Sequence, residues 1–170
     1  MTSYFAELVD PKSQEYKEIQ ERMRPGNCSI SGFLDKDEDL REVVLRDNKT
    51  LEMLNITHNQ IADKLESLVT IAQKKWDMGE EAIVEGKFKI EGRFYRGWQE
   101  CPFYTFLKTC PQITKDFAIE NITTGQKIRF SELIIHLIRD HHFFEGNVYY
   151  RLDPVEAIKC LELEPELMEK

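Results

Sequence analysis

Histidines and cysteines in the second half of the chain are the residues best suited to chemistry. Three of the four histidines, His136, His141 and His142, lie within seven residues of one another. An imidazole can serve as a metal ligand, a proton-transfer group or a pH-sensitive contact. Cys101 and Cys110 come earlier, and zinc accepts sulfur and imidazole ligands in a tetrahedron. The candidate metal ligands are therefore Cys101, Cys110, His136 and His141, with zinc as the ion, although nothing in the sequence requires a cofactor.

The spacing of these residues does not match a zinc finger. Eight residues separate the two cysteines, whereas a finger places about two to four between them. Successive helical residues turn by about 100°, so His136 and His141 should lie about 140° apart around a helix. A regular helix would point His141 toward the core and His136 toward solvent. One ion would reach both only if the helix ended near Asp140 and the chain folded back.

A catalytic cysteine would need fewer residues than a metal site. A histidine close to Cys101 would stabilise its thiolate as a nucleophile, and an acid such as Asp140 or Glu145 would orient the imidazole. The catalytic candidates are then Cys101, His141 and Glu145. A structural alternative stays open, in which His141 is a buried histidine with satisfied hydrogen bonds and the cysteines pack as small apolar residues.

The connection over residues 97–113 is the predicted place for a ligand. It is long and holds two prolines, and long ordered loops usually carry function. Trp98 and Gln99 are its candidate ligand-binding residues. We expect Cys101 and His141 to lie on the same side of the fold, next to this connection.

Two segments resemble a family of uncharacterised hypothetical proteins, mostly bacterial. The first runs from Gly97 to Phe103 and carries the pattern G-x-Q-x-C-P-F. The second runs from His136 to Gly146 and carries H-L-I-x-x-H-H-F-F-E-G. The similarity extends along most of the chain, and the family has no assigned activity. The resemblance therefore implies a cytoplasmic protein and carries over no catalytic residue.

The first half of the chain predicts two helices joined as an αα-hairpin. Apolar residues recur at helical spacing over residues 35–55, and Asn55 suits a left-handed C-terminal cap. Thr57 and Gln60 form a capping box for the next helix. The residues predicted to be buried on the two helices are Leu40, Val44, Leu51, Leu54, Ile61, Leu65, Leu68 and Trp76.

The second half predicts strands followed by helices. Residues 84–94 alternate apolar and charged side chains, with a turn or bulge at Glu91-Gly92. Residues 115–121 and 126–130 predict a hairpin in which Phe117 and Ile119 face Ile128 and Phe130. Ser131 caps a helix that runs to about His142, and residues 147–152 predict a last edge strand.

Length and charge limit the possible functions. The 170 residues fit one domain over residues 1–170, with a helical half (1–80), a strand-rich half with late helices (81–161) and a frayed acidic tail (162–170). The net charge of −8 disfavours nucleic acid, and no apolar run reaches the length of a membrane span. Because no export signal is visible, we predict free thiols and a cytoplasmic location.

These observations predict an α+β fold in which the αα-hairpin packs on a mostly antiparallel sheet, with late helices. We expect a soluble protein that binds a small molecule or a protein partner. The alternative is a metal- or thiol-dependent enzyme centred on Cys101 and His141.

Overall fold

The structure is a computed structural model that describes residues 7, 9–26, 32–103 and 112–165, with the side chains of 95–99 and 112–114 left aside. Its helices are α1 (Gln14–Arg22), α2 (Leu40–Leu54), α3 (His58–Asp77), α4 (Leu133–His141) and α5 (Pro154–Leu161). Its strands are β1 (Ile83–Val84), β2 (Phe88–Glu100), β3 (Gln112–Asn121) and β4 (Lys127–Ser131). This element order confirms the α+β prediction.

The predicted αα-hairpin is present, and side-chain caps define its ends. The Asp39 carboxylate accepts a hydrogen bond from the Glu42 amide, so α2 begins at Leu40 rather than at Asp35. Asn55 adopts the left-handed conformation (φ 58°) and ends α2. Thr57 and Gln60 form the capping box that starts α3.

The four strands form one antiparallel sheet in the order β1-β2-β3-β4. The predicted hairpin is confirmed, because Phe117 pairs with Phe130 and Ile119 with Ile128. The chain reverses before β2 at Glu85 (φ 55°) and Gly86 (φ 69°), not at Glu91-Gly92. Gly-containing reversals with positive φ are favoured in tight hairpins.

Gly92 lies within strand β2, in close contact with helix α3. A Cβ atom at this position would come within 2.9 Å of the Trp76 indole. Trp76 also stacks on the Phe117 ring at 6.2 Å between centroids. The missing side chain therefore lets α3 approach the sheet closely.

The core lies between the sheet and the helices. Leu40, Val44, Leu51, Ile61, Leu65 and Leu68 are buried as predicted. Leu54 is 40% exposed, because it is the last residue of α2 and lies beyond the packed turns. Helix α3 packs along α4 and contacts β1 and β2, and α5 contacts β3 and β4.

Two further predictions for the second half are wrong. Residues 147–152 form bends and a turn rather than an edge strand, and the Arg151 amide donates to the Val148 carbonyl while the Leu152 amide donates to the Phe144 carbonyl. Helix α4 begins at Leu133, and Ser131 is the last residue of β4, although its hydroxyl still accepts a hydrogen bond from the Leu133 amide. Within the described part of the chain, no helix is long and apolar enough to cross a membrane.

Candidate metal centre

The end of β2 brings a thiol next to the last turn of α4. Cys101 follows Glu100, the last residue of β2, and is 2% exposed. His141 is the last residue of α4, which ends because His142 adopts the left-handed conformation (φ 54°). The Cys101 Sγ atom lies 3.4 Å from Nε2 of His141. The prediction that these two residues share one side of the fold is therefore confirmed.

His136 joins this pair, contrary to the prediction that it points to solvent. Its side chain is only 16% exposed, and its ring lies 5.0 Å from that of His141, nearly perpendicular to it. Helical side chains lean toward the N-terminus, so His141 covers the turn that carries His136. The angular separation on a helical wheel neglects this lean and the length of the two rings.

The three residues meet the geometric requirement for sharing one ion. Cys101, His136 and His141 each offer a ligand atom, and these atoms all lie within 4.8 Å of one another. Zinc bonds of about 2.3 Å to sulfur and 2.0–2.1 Å to nitrogen place tetrahedral ligand atoms roughly 3.5 Å apart. The 3.4 Å contact between Cys101 and His141 matches that spacing.

A carboxylate orients one of the two imidazoles. Asp140 Oδ2 lies 2.6 Å from Nδ1 of His136, one helical turn away at i, i+4. Sequence reasoning assigned Asp140 to His141, although the i, i+4 spacing to His136 was the available signal. This contact fixes the His136 ring and directs Nε2 toward any ligand, as carboxylates do around metal-bound histidines.

Aromatic rings shield the buried side of the centre. Phe103 stacks on the His141 ring at 4.2 Å, and Phe143 meets Phe103 edge-on at 5.6 Å. On another side, His136 and Asp140 line a groove between α3 and α4, together with Glu66 and Arg139. The centre therefore has an apolar wall and a polar approach.

The remaining predicted site residues lie elsewhere. Glu145 is 1% exposed, and its charged neighbours are Arg151 and Asp116, so it does not orient His141. Burial raises the pKa of the Glu145 carboxyl well above its usual range. Trp98 and Gln99 belong to β2, but their side chains fall outside the described atoms. Cys110 lies outside the described residues.

A second histidine cluster was not anticipated from the sequence. The rings of His58 and His142 stack at 3.6 Å, nearly parallel. His142 Nδ1 lies 3.1 Å from a carboxylate oxygen of Glu7, and His58 Nε2 lies 2.9 Å from Asn48 Oδ1. Burial and the neighbouring His142 lower the pKa of His58 to about 3. Because the two histidines are 84 positions apart, no local pattern could have revealed the pair.

Comparison of the chain with protein families, curated proteins and solved structures finds no match. The resemblance carried by the segments starting at Gly97 and His136 therefore stays a prediction. The candidate chemistry rests on the geometry of Cys101, His136 and His141.

Proposed function

We propose that the protein binds one divalent transition-metal ion, zinc first, through Cys101, His136 and His141. The observation that carries this proposal is the convergence of three ligand atoms within 4.8 Å, contributed by the end of β2 and by α4. Thiolate and imidazole together favour zinc over magnesium or calcium, which prefer oxygen ligands. The thiol must stay reduced to bind metal, which fits the cytoplasmic location predicted from the sequence.

The environment of the ligands supports metal binding. Cys101 and His141 are each 2% exposed, so their donor atoms are positioned by packing. Asp140 supplies the carboxylate that usually accompanies a metal-bound histidine. Glu66 and Asp140 line the α3–α4 groove, where Glu66 pairs with Arg139 and Asp140 contacts His136, so Asp140 is the carboxylate next to the donor atoms.

The fourth coordination position distinguishes two kinds of zinc site. Structural sites close the tetrahedron with four protein ligands, whereas catalytic sites leave one position for water or substrate. Cys110 is the fourth ligand that the sequence nominates. A Cys110→Ser variant that loses zinc would indicate a closed site, and a variant that retains zinc would indicate an open one.

Thiol chemistry is the second candidate, favoured by the same 3.4 Å contact between Cys101 Sγ and His141 Nε2. A cysteine nucleophile needs a histidine that is in turn oriented by a third polar group. The two acids nominated for that role have other partners, since Asp140 contacts His136 and Glu145 lies near Arg151 and Asp116. The contacts therefore support a metal centre better than a cysteine–histidine nucleophile.

Elemental analysis and cobalt titration of the full chain test the proposal. We expect about one zinc per chain and, with Co²⁺, a thiolate-to-metal charge-transfer band. Cys101→Ser should abolish the band, and His136→Ala or His141→Ala should weaken binding. Cys160→Ser is the matched control, because Cys160 is equally buried but its Sγ lies near the carbonyls of Ile119 and Gln126.

The thiol candidate predicts a different set of experimental results. Absence of zinc and cobalt binding in folded protein would overturn the metal proposal. If Cys101 were then alkylated much faster than Cys160, the thiol candidate would replace it. Equal, slow alkylation of the two thiols would leave both residues with a packing role.

A further inference from the structure

A cleft on the sheet surface, lined by none of the metal ligands, combines two guanidinium groups and two carboxylates with aromatic rings. Glu91 of β2 and Arg129 of β4 both pair with Ala118 of β3, so the smallest side chain stands between two long ones. All three belong to the face that alternates with the buried residues of the sheet. The hollow over Ala118 is completed by Tyr149 and Tyr150.

Two guanidinium groups border this cleft. Arg93 and Arg129 are exposed, and neither guanidinium group makes an ion pair or hydrogen bond with a residue that the structure describes. Asp116 pairs with Arg93 across the strands, but its carboxylate accepts a hydrogen bond from the Tyr150 hydroxyl at 2.9 Å. The arginines thus keep their donors for a ligand, and guanidinium groups recognise carboxylate and phosphate in a bidentate manner.

The tyrosines supply a surface for a ring. Tyr149 is 74% exposed, although it is a large aromatic residue. It meets Tyr150 edge-on at 4.8 Å, while the Tyr150 hydroxyl is held by Asp116. The anchored Tyr150 therefore supports Tyr149, whose exposed ring can stack against a planar ligand.

We infer that this cleft binds a small aromatic molecule that carries a carboxylate or phosphate group. The anionic group lies between Arg93 and Arg129, and the ring lies over Ala118 against Tyr149. Glu91 and Asp116 can accept hydrogen bonds from ring hydroxyl or amino groups. The inference is independent of the metal proposal, because the cleft contains none of the metal ligands.

Alanine-methyl NMR of the full chain tests this inference. The chain has six alanines, and among those that the structure describes only Ala118 lines the cleft, so methyls such as those of Ala62 and Ala157 serve as internal references. The probes are 4-hydroxybenzoate and phenyl phosphate, compared with inorganic phosphate, neutral phenol and cationic benzylamine. We expect the two aromatic anions to shift the Ala118 methyl saturably, with a Kd of about 1 mM or below. The three comparison probes should bind at least about tenfold more weakly.

Three variants separate the contributions of the arginine and the tyrosine to ligand binding. Arg129→Gln should weaken both aromatic anions by about tenfold. Tyr149→Ala should weaken the aromatic probes and leave inorganic phosphate unchanged. Lys127→Gln is the matched control, because it removes the same charge from the same exposed face of β4 and should change little. The inference is overturned if no probe gives a saturable shift of the Ala118 methyl, or if Lys127→Gln weakens binding as much as Arg129→Gln.

Discussion

Cys101 Sγ and His141 Nε2 lie 3.4 Å apart, although the two residues are 40 positions apart in the chain. Cys101 follows the last residue of β2, and His141 is the last residue of α4, so the contact joins the ends of two elements. His136 reaches the same place from the preceding turns of α4. A helix therefore carries two of the donor atoms and the third directly follows a strand, which favours a defined coordination geometry.

Zinc should stabilise the native protein against unfolding. A ligand that binds only the native state adds about 2.7 kcal/mol at a free concentration of 100 times its Kd. Thermal unfolding with and without zinc measures this gain, which Cys101→Ser should lose. The gain should shrink as pH falls, because protons compete for thiolate and imidazole ligands. An equal gain in Cys101→Ser would contradict the proposed ligand set.

Asp140→Asn should weaken zinc binding without abolishing it. The change removes a carboxylate that contacts Nδ1 of His136 at 2.6 Å, and such losses typically cost about 10- to 100-fold in metal affinity. Competition with a chromophoric chelator measures the change. Asp63→Asn is the control, because Asp63 pairs with Arg139 instead. Equal effects of the two variants would mean that the loss of negative charge near the site, rather than the loss of the contact that orients His136, weakens zinc binding.

His58 should make the protein less stable as pH falls. Its pKa is about 3 in the folded protein, against an ordinary 6.5. Between pH 6.5 and 3, His58 is protonated in the unfolded chain but stays neutral in the folded protein. The free energy of unfolding therefore falls with pH in this window, by at most about 1.4 kcal/mol per pH unit.

Denaturant unfolding at a series of pH values measures this dependence, with His58→Gln as the comparison. The glutamine cannot titrate, so its profile should be flatter than that of the natural chain. The residual slope should retain the contribution of His142, whose pKa burial also lowers. Superimposable profiles would show that the stacked pair does not titrate as its burial implies.

Glu145 should have the opposite pH dependence. Burial raises the pKa of its carboxyl, so the folded protein keeps a proton that the unfolded chain loses above its ordinary value of 4.5. The stabilisation is complete below that pH and is lost as pH rises through the folded-state pKa. Glu145→Gln should therefore match the natural chain at low pH and be more stable at neutral pH.

Glu162→Gln is the control for this change. Glu162 shares the left-handed backbone of Glu145 (φ 53° and 68°), but it pairs with Lys87 at the surface and its pKa is lowered. Chemical unfolding at acid and neutral pH should show no gain for the control. A loss of stability at neutral pH in Glu145→Gln would mean that the carboxylate is ionised and paired in the native state.

Local rules were enough to predict much of the fold. Asn55, Thr57 and Gln60 determine how α2 ends and α3 begins, because capping depends on residues within one turn of the helix end. The β3–β4 hairpin was predicted with Phe117 and Ile119 facing Ile128 and Phe130, because strand side chains alternate with a period of two. These features depend on neighbours in the chain, so the sequence alone determined them.

Sequence patterns did not locate the turn before β2 or the end of the packed part of α2. The sequence contains two Glu-Gly pairs; we predicted a turn or bulge at Glu91-Gly92, whereas the chain reverses at Glu85-Gly86. Gly92 is needed in the strand because the Trp76 indole lies against it. The apolar pattern of α2 likewise does not show that packing stops before Leu54.

The sequence predicted which residues form the candidate metal centre, and the tertiary structure decided its geometry. The sequence nominated Cys101, His136 and His141 from their ligand chemistry, but a helical wheel placed the two histidines apart. Their convergence depends on the lean of side chains in α4 and on how β2 ends beside it. The stacking of His58 on His142 depends equally on how α3 and α4 pack together. Residue type is local information, whereas the distance between donor atoms is set by long-range packing of the whole core.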